Sequence, residues 1–165
     1  MKYLQILFFI LVVRPLVAIV LGLNVLGVER LPMQGPAIIA ANHNSHLDTL
    51  TLMSLWPLLE VHKVRTIAAA DYFLTNPILS WFSRNIMHII PIDRQRKDRS
   101  VDSLADASAA LANHNILLLF PEGSRGEPEK LSSFKSGIAR LTERHPNAPI
   151  IPIFMHGLGK ALPRG

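Results

Sequence analysis

The sequence predicts an α/β fold, a mostly parallel sheet covered by helices, preceded by an N-terminal membrane-associating helical segment. Beyond residue 28, short apolar runs alternate with stretches of helical periodicity, an order typical of parallel strands joined by helical crossovers. Before it, the only charged side chains are Lys2 and Arg14. We therefore divide the 165 residues into a membrane-associating helical segment, 1–27, and an α/β domain, 28–165.

The composition indicates which partners the chain can have. Hydrophobic residues make up 49% and charged residues only 18%, which favours contact with a membrane. The net charge of +5 favours anionic partners such as phospholipids or phosphorylated small molecules. Zinc-finger spacing and an aromatic-basic RNA signature are both missing, so we expect no nucleic acid partner. The sequence has no cysteine, which excludes a thiol nucleophile and a cysteine metal site.

Two apolar runs, residues 4–13 and 16–27, flank Arg14-Pro15. Neither reaches the ~20 residues that a spanning helix needs, and a fused helix would place Arg14 near mid-bilayer at a cost of roughly 2.5–3.5 kcal/mol. Proline at this point predicts a break. A broken helix pair lying in one leaflet fits best, on the cytoplasmic face of the inner or plasma membrane. A single span, a cleaved signal peptide and a buried core helix are the alternatives.

Apolar runs and capping residues locate the elements of the α/β domain. The last strand contains Pro152, which predicts a place near a sheet edge or near the end of a strand. We expect strands at residues 36–41, 64–70, 86–92, 116–120 and 149–154. We expect helices at residues 48–56, from the cap Asn76 to about Arg84, behind a cap at Ser100, and at about 134–144.

Polar clusters follow three of the predicted strands: "NHNSHLD" from Asn42, "DR" at Asp93-Arg94, and "PEGSR" from Pro121. The carboxyl ends of parallel strands lie at one edge of a sheet, and ligands bind beyond that edge. We therefore expect the three clusters to form one site.

His43 and Asp48 are the first candidates for chemistry. Five residues on one regular helix are ~7.5 Å of rise and ~140° of rotation, so the two side chains meet only if His43 precedes the helix. Asp48 would then fix the tautomer of His43, whose other nitrogen acts as a base. Two alternatives stay open from the spacing: a cap cluster with a surface histidine, and a metal site of His43, His46 and Asp48.

The letters "ANHN" recur at residues 112–115, where His114 is the counterpart of His43. Leu119 stands five residues on, where an acid would be needed. His114 also precedes its strand, at the amino end of the parallel sheet and away from the expected site. We expect His114 to be an ordinary basic residue near a helix end.

The string "FPEGSR" supplies groups that suit an anion. Gly123 lets the main chain approach a ligand, Ser124 is a small donor, and Arg125 offers a planar fork for phosphate or carboxylate. Glu122 would hold that arginine or bond a hydroxyl. The simpler alternative is a tight turn with a surface ion pair.

Together, "NHNSHLD", "IPIDR", "FPEGSR", "FKSG" and the late "IPI" resemble the glycerolipid (lysophosphatidic acid) acyltransferase superfamily. Its signature is N-H-x-x-x-x-D, an aromatic-I-x-R element, F-P-E-G-T/S-R and a short V/I-P-V/I strand. The match covers residues 28–153 in order. The sequence departs from the signature at Pro91, where an aromatic is frequent, and at His88, where glycine is usual.

The resemblance implies a membrane-bound enzyme that moves an acyl group from an acyl-CoA or acyl carrier protein thioester to lysophosphatidic acid, without a resident cofactor or metal. His43 is then the general base and Asp48 its orienting acid. The residues of the other motifs would bind the phosphate and glycerol of the acceptor, and the resemblance also implies a part in binding for Lys135. The implied binding residues are Arg94, Glu122, Gly123, Ser124, Arg125 and Lys135. Another lysolipid acceptor, a metal-dependent hydrolase and a non-catalytic membrane lipid-binding module are the alternatives. Relatives continue past "ALPRG", so we expect the chain to be part of a longer protein.

Overall fold

The structure, a computed structural model, describes residues 1–45, 47–70, 76–93, 102–127 and 130–161. Within these ranges one sheet has five strands, and their spatial order is β3-β2-β4-β1-β5. Every pairing between the described strands is parallel, as predicted. The strands are β1 Ala37–Ala41, β2 Val64–Ala69, β3 Ile89–Ile92, β4 Ile116–Leu119 and β5 Ile150–Ile153.

Side-chain size and proline placement explain the strand order. All four residues of β4 are buried and apolar, and this strand is central. Pro91 and Pro152 lie in β3 and β5, the two outer strands, where a missing N–H interrupts no ladder on the open side. Of the two places predicted for Pro152, a sheet edge or a strand end, the structure shows the edge.

The α-helices in the described part of the domain are α2 Asp48–Met53, α3 Pro77–Asn85, α4 Ala105–Ala112, α5 Gly137–Arg144 and α6 Leu158–Ala161. Asn76 caps α3 as predicted, because its side-chain oxygen accepts the N–H groups of Ile78 and Leu79 at 2.8 and 3.4 Å. Three predicted bounds were wrong by about three residues: α2 ends at Met53, β3 begins only at Ile89, and α5 begins at Gly137. The predicted cap Ser100 lies outside the described residues.

Helices cover both faces of the sheet. Because side chains alternate along a strand, Ile38 and Ile39 of β1 point to opposite sides. Ile39 joins a core with Trp56 and the N-terminal helix, whereas Ile38 joins a second core with Leu111 of α4 and Leu141 of α5.

The N-terminal segment is one continuous helix, α1, over residues 2–21. It alternates α and π geometry: Lys2–Phe8 is α, Phe9–Val13 is π, Arg14–Leu16 is α and Val17–Leu21 is π. The predicted break at Arg14-Pro15 is therefore wrong. A π turn precedes the proline, with the Arg14 N–H bonded to the Phe9 carbonyl, and such a turn accommodates a ring that a regular helix would reject. Gly22, at φ +53°, ends the helix.

One stripe of α1 packs on the domain. Phe9, Val13 and Val17 belong to the same core as Trp56, and the Phe8 ring meets that of Phe82 edge-on at 5.1 Å. The other side of α1 is apolar and exposed, with Tyr3, Leu7, Leu11 and Ile19 more than half exposed. Residues 2–19 have a mean hydropathy of 1.9, enough in length and composition to cross a membrane. A signal sequence or a core helix meets the same criterion.

Candidate active site

The site lies at the carboxyl edge of the two central strands. His43 follows β1 by two residues, and Glu122 follows β4 by three. Since β1 and β4 are parallel neighbours, the two segments meet at one edge. Asp93 directly follows β3 at the same edge, and β2 lies between β3 and β4. Arg94, predicted to bind the acceptor, lies outside the described residues.

His43 and Asp48 are in direct contact. Nδ1 of His43 lies 2.8 Å from Oδ2 of Asp48, and the carboxyl is fully buried at the first residue of α2. The same oxygen accepts the main-chain N–H groups of Asn44 and Ser45 at 2.7 and 2.8 Å. The turn between β1 and α2 therefore holds the carboxylate in place before any ligand binds.

The His43 ring is fixed from a second side by an aromatic residue. It stacks on the Phe120 ring with centroids 4.0 Å apart and an interplanar angle of 15°. A carboxylate only accepts hydrogen bonds, so this contact requires a proton on Nδ1, and in the neutral ring Nε2 then carries the lone pair. The side chain is 21% exposed, so solvent or a ligand can reach it. This arrangement suits a base.

Glu122 contacts the main chain of His43. Its Oε1 accepts the His43 N–H at 3.0 Å, and its Oε2 accepts the N–H and the hydroxyl of Ser132 at 3.1 and 2.7 Å. The residue is only 2% exposed. These partners differ from the arginine or ligand hydroxyl that the sequence suggested. In this structure the Glu122 carboxylate therefore joins the main chain of His43 to Ser132, and its predicted part in binding the acceptor stays a prediction.

The remaining residues predicted to bind the acceptor surround the same turn. Gly123 has φ +75°, a conformation that favours glycine, and a Cβ there would lie 3.2 Å from Cγ of Lys135. The Lys135 N–H donates to the Pro121 carbonyl at 2.8 Å. The side chains of Ser124 and Lys135 are exposed, and Arg125 is half-buried.

Comparison with known proteins identifies the family. A family model described as "Acyltransferase" matches residues 22–156, most of the chain. This chain belongs to that acyltransferase family. This match, together with the relatives and the solved structure described next, confirms the resemblance to glycerolipid acyltransferases that the motifs predicted.

Individual relatives of this family member agree. The chain is 31% identical over 144 residues to the chloroplastic 1-acyl-sn-glycerol-3-phosphate acyltransferase LPAT1 of Arabidopsis thaliana, covering 87% of this chain and 38% of that protein. It is 27% identical over 135 residues to the alpha enzyme of that name from Homo sapiens, covering 80% and 44%. The chain thus spans about two fifths of the length of these relatives.

A solved structure has the same fold. The crystal structure of the 1-acyl-sn-glycerophosphate (LPA) acyltransferase PlsC from Thermotoga maritima matches with a TM-score of 0.56 and 26% identity. The match covers 77% of this chain and 47% of that one.

In this acyltransferase-family chain, the second "ANHN" forms a turn that packs against another part of the main chain. His114 is exposed, has φ +56°, and lies in the turn before β4, at the amino edge of the sheet. The carbonyl groups of His114 and Asn115 pack against Gly35, where a Cβ would come within 2.5 Å of both oxygens. The second "ANHN" therefore lies at the opposite edge of the sheet from His43, as predicted.

Sequence reasoning missed three residues that position the site. Phe120 is the stacking partner of His43, Ser132 bonds Glu122, and Asn42 joins β1 to the segment after β5. A polar residue directly after a strand is a weak signal for the role of Asn42.

The spacing of the first motif also left a metal site of His43, His46 and Asp48 open. His46 lies outside the described residues.

Proposed function

We propose that this chain transfers a fatty acyl group from an acyl-CoA or acyl carrier protein thioester to the free hydroxyl of lysophosphatidic acid, which gives phosphatidic acid. The observation that carries the proposal is the 2.8 Å contact between His43 Nδ1 and the buried carboxylate of Asp48. A binding module needs no oriented base, whereas acyl transfer to an alcohol does. The names of the relatives support the acceptor.

The chemistry uses the acceptor itself as nucleophile. Nε2 of His43 takes the proton of the acceptor hydroxyl while that oxygen attacks the thioester carbonyl carbon. The carbon–sulfur bond then breaks, and the sulfur leaves as a thiol with the proton that His43 returns. Asp48 stabilises the imidazolium that forms between these two proton transfers. The chain has no cysteine, so a cysteine-bound acyl intermediate cannot form.

Gly123, Ser124, Arg125 and Lys135 suit the phosphate of the acceptor. They lie on the turn after β4 and on the segment that the Lys135 N–H ties to the Pro121 carbonyl, and the next residue of the turn, Gly126, donates its N–H to the His43 carbonyl. Arg94, which comes two residues after β3 in the sequence, completes the proposed set. A guanidinium grips a phosphate at two points and an ammonium adds a point charge, so this set favours a phosphorylated lysolipid.

We place the chain at a membrane surface, on the cytoplasmic face where thioester donors are supplied. The exposed apolar side of α1 supports this placement. Since Phe9, Val13 and Val17 pack on the domain, α1 lies along it, with its outer side directed to lipid.

The test incubates the chain with vesicles that contain lysophosphatidic acid and with labelled acyl-CoA or acyl carrier protein. We expect labelled phosphatidic acid, formed equally with and without a chelator. If product forms only when another lysolipid replaces lysophosphatidic acid, the proposed acceptor is wrong. Lipid binding without any product from either donor would contradict the enzyme and favour the binding module.

A further inference from the structure

The main chain of His43 is held at both of its polar groups by one loop. Its N–H donates to Oε1 of Glu122 at 3.0 Å, and its carbonyl accepts the N–H of Gly126 at 2.9 Å. Asp48 fixes the ring, but the loop after β4 fixes the backbone from which the ring extends. The placement of Nε2 therefore depends on Glu122 as well as on Asp48.

Glu122 in turn depends on Ser132. The carboxylate is 2% exposed, and within the described residues it pairs with no cation. A buried carboxylate without a cation needs several hydrogen-bond donors. Glu122 has three, and Ser132 supplies two of them, its N–H at 3.1 Å and its hydroxyl at 2.7 Å.

The space around Oε2 of Glu122 is closed on the other side. A Cβ at Gly126 would lie 3.2 Å from that oxygen, so the loop packs tightly over the carboxylate. The segment that carries Ser132 is also tied to the turn, because the Lys135 N–H donates to the Pro121 carbonyl at 2.8 Å. Glu122 therefore has one well-defined orientation, and the Ser132 hydroxyl is the shortest contact that sets it.

We propose that Ser132 is a positioning residue for the general base, acting through Glu122 on the main chain of His43. The proposal rests on the proposed function, in which His43 takes the proton of the acceptor. Ser132 belongs to none of the motifs that predicted the site. Its hydroxyl aligns the base and touches neither substrate, so its loss should slow turnover without weakening substrate binding.

The test compares Ser132→Ala with Ser132→Thr and with Ser133→Ala. Ser133 is the matched control, a neighbouring exposed serine on the same segment. We expect Ser132→Ala to lower kcat by about 10- to 100-fold, as a misplaced catalytic group does, while KM for both substrates stays within about twofold. Threonine keeps the hydroxyl and should recover most of the rate. Ser133→Ala should match the parent.

A second measurement does not need activity. Hydrogen exchange at the His43 amide should accelerate at least about tenfold in Ser132→Ala and remain at the parent rate in Ser133→Ala, since the amide bonds to Glu122 in the parent. If the parent transfers no acyl group but exchange is still faster in Ser132→Ala than in the parent, the proposed function is wrong and the placement of His43 by Ser132 stands. Unchanged kcat and unchanged exchange in Ser132→Ala would overturn the inference, as would a loss confined to acceptor KM.

Discussion

Asn42 and Met155 hold each other through two hydrogen bonds between residues 113 positions apart. The Asn42 amide donates to the Met155 carbonyl at 2.8 Å, and its oxygen accepts the Met155 N–H at 2.6 Å. Both residues are buried. The pair fixes the end of β1 against the segment after β5, and the turn that carries His43 leaves from this fixed point.

Asn42→Ala should therefore destabilise the fold. It leaves two buried main-chain groups of Met155 unpaired, each of which costs about 1–3 kcal/mol, so we expect the free energy of unfolding to fall by roughly 2–6 kcal/mol. Urea unfolding measures it. The control is Asn113→Ala in the second "ANHN", where an exposed amide bonds only the Ala109 carbonyl at 2.9 Å. A similar loss in both variants would contradict the role of the pair.

The strand runs and the cap of α3 were predictable because they are local. Asn76 and its two N–H partners lie within four residues, and the strands follow from consecutive apolar residues. The approach of His43 and Asp48 was also predictable, since five residues and one turn decide it. The motifs, which are local as well, indicated the family.

Long-range contacts and backbone adjustments were not predictable. Glu122 lies 79 positions from the His43 N–H that it accepts, and no spacing rule connects them. The π turns that carry α1 past Pro15 leave no mark in the hydrophobic pattern. His88, where the family usually has glycine, adopts φ +50°, which explains that preference but emerges only from the structure.

The orientation of α1 can be tested by measuring from which side of a membrane residue 2 is accessible. The chain has no cysteine, so Lys2→Cys and Glu143→Cys can each be labelled alone. Because α1 packs lengthwise on the domain, we expect an impermeant thiol reagent to reach both positions from the same side of a vesicle. Labelling of residue 2 only from the side opposite residue 143 would show a span.

Arg125→Lys should weaken binding of the acceptor more than binding of the acyl donor. Lysine keeps the charge but loses the planar fork that binds a phosphate at two points. We expect KM for lysophosphatidic acid to rise about tenfold, with KM for acyl-CoA nearly unchanged. Arg140→Lys, at an exposed position of α5, is the control. An equal rise in KM for both substrates, or a rise for the thioester alone, would show that Arg125 does not bind the acceptor.

The central claim is that His43 is the base and Asp48 its orienting acid, and the rate of labelled acyl transfer in folded variants tests it most directly. We expect His43→Ala to lose about 10²–10⁴-fold in rate, Asp48→Asn to be severely impaired, and the double variant to be little worse than the worse single one. His114→Ala, in the second "ANHN", should keep the parent rate, since its side chain is exposed at the opposite edge of the sheet. A His114→Ala variant as inactive as His43→Ala, or a fully active Asp48→Asn, would contradict the claim.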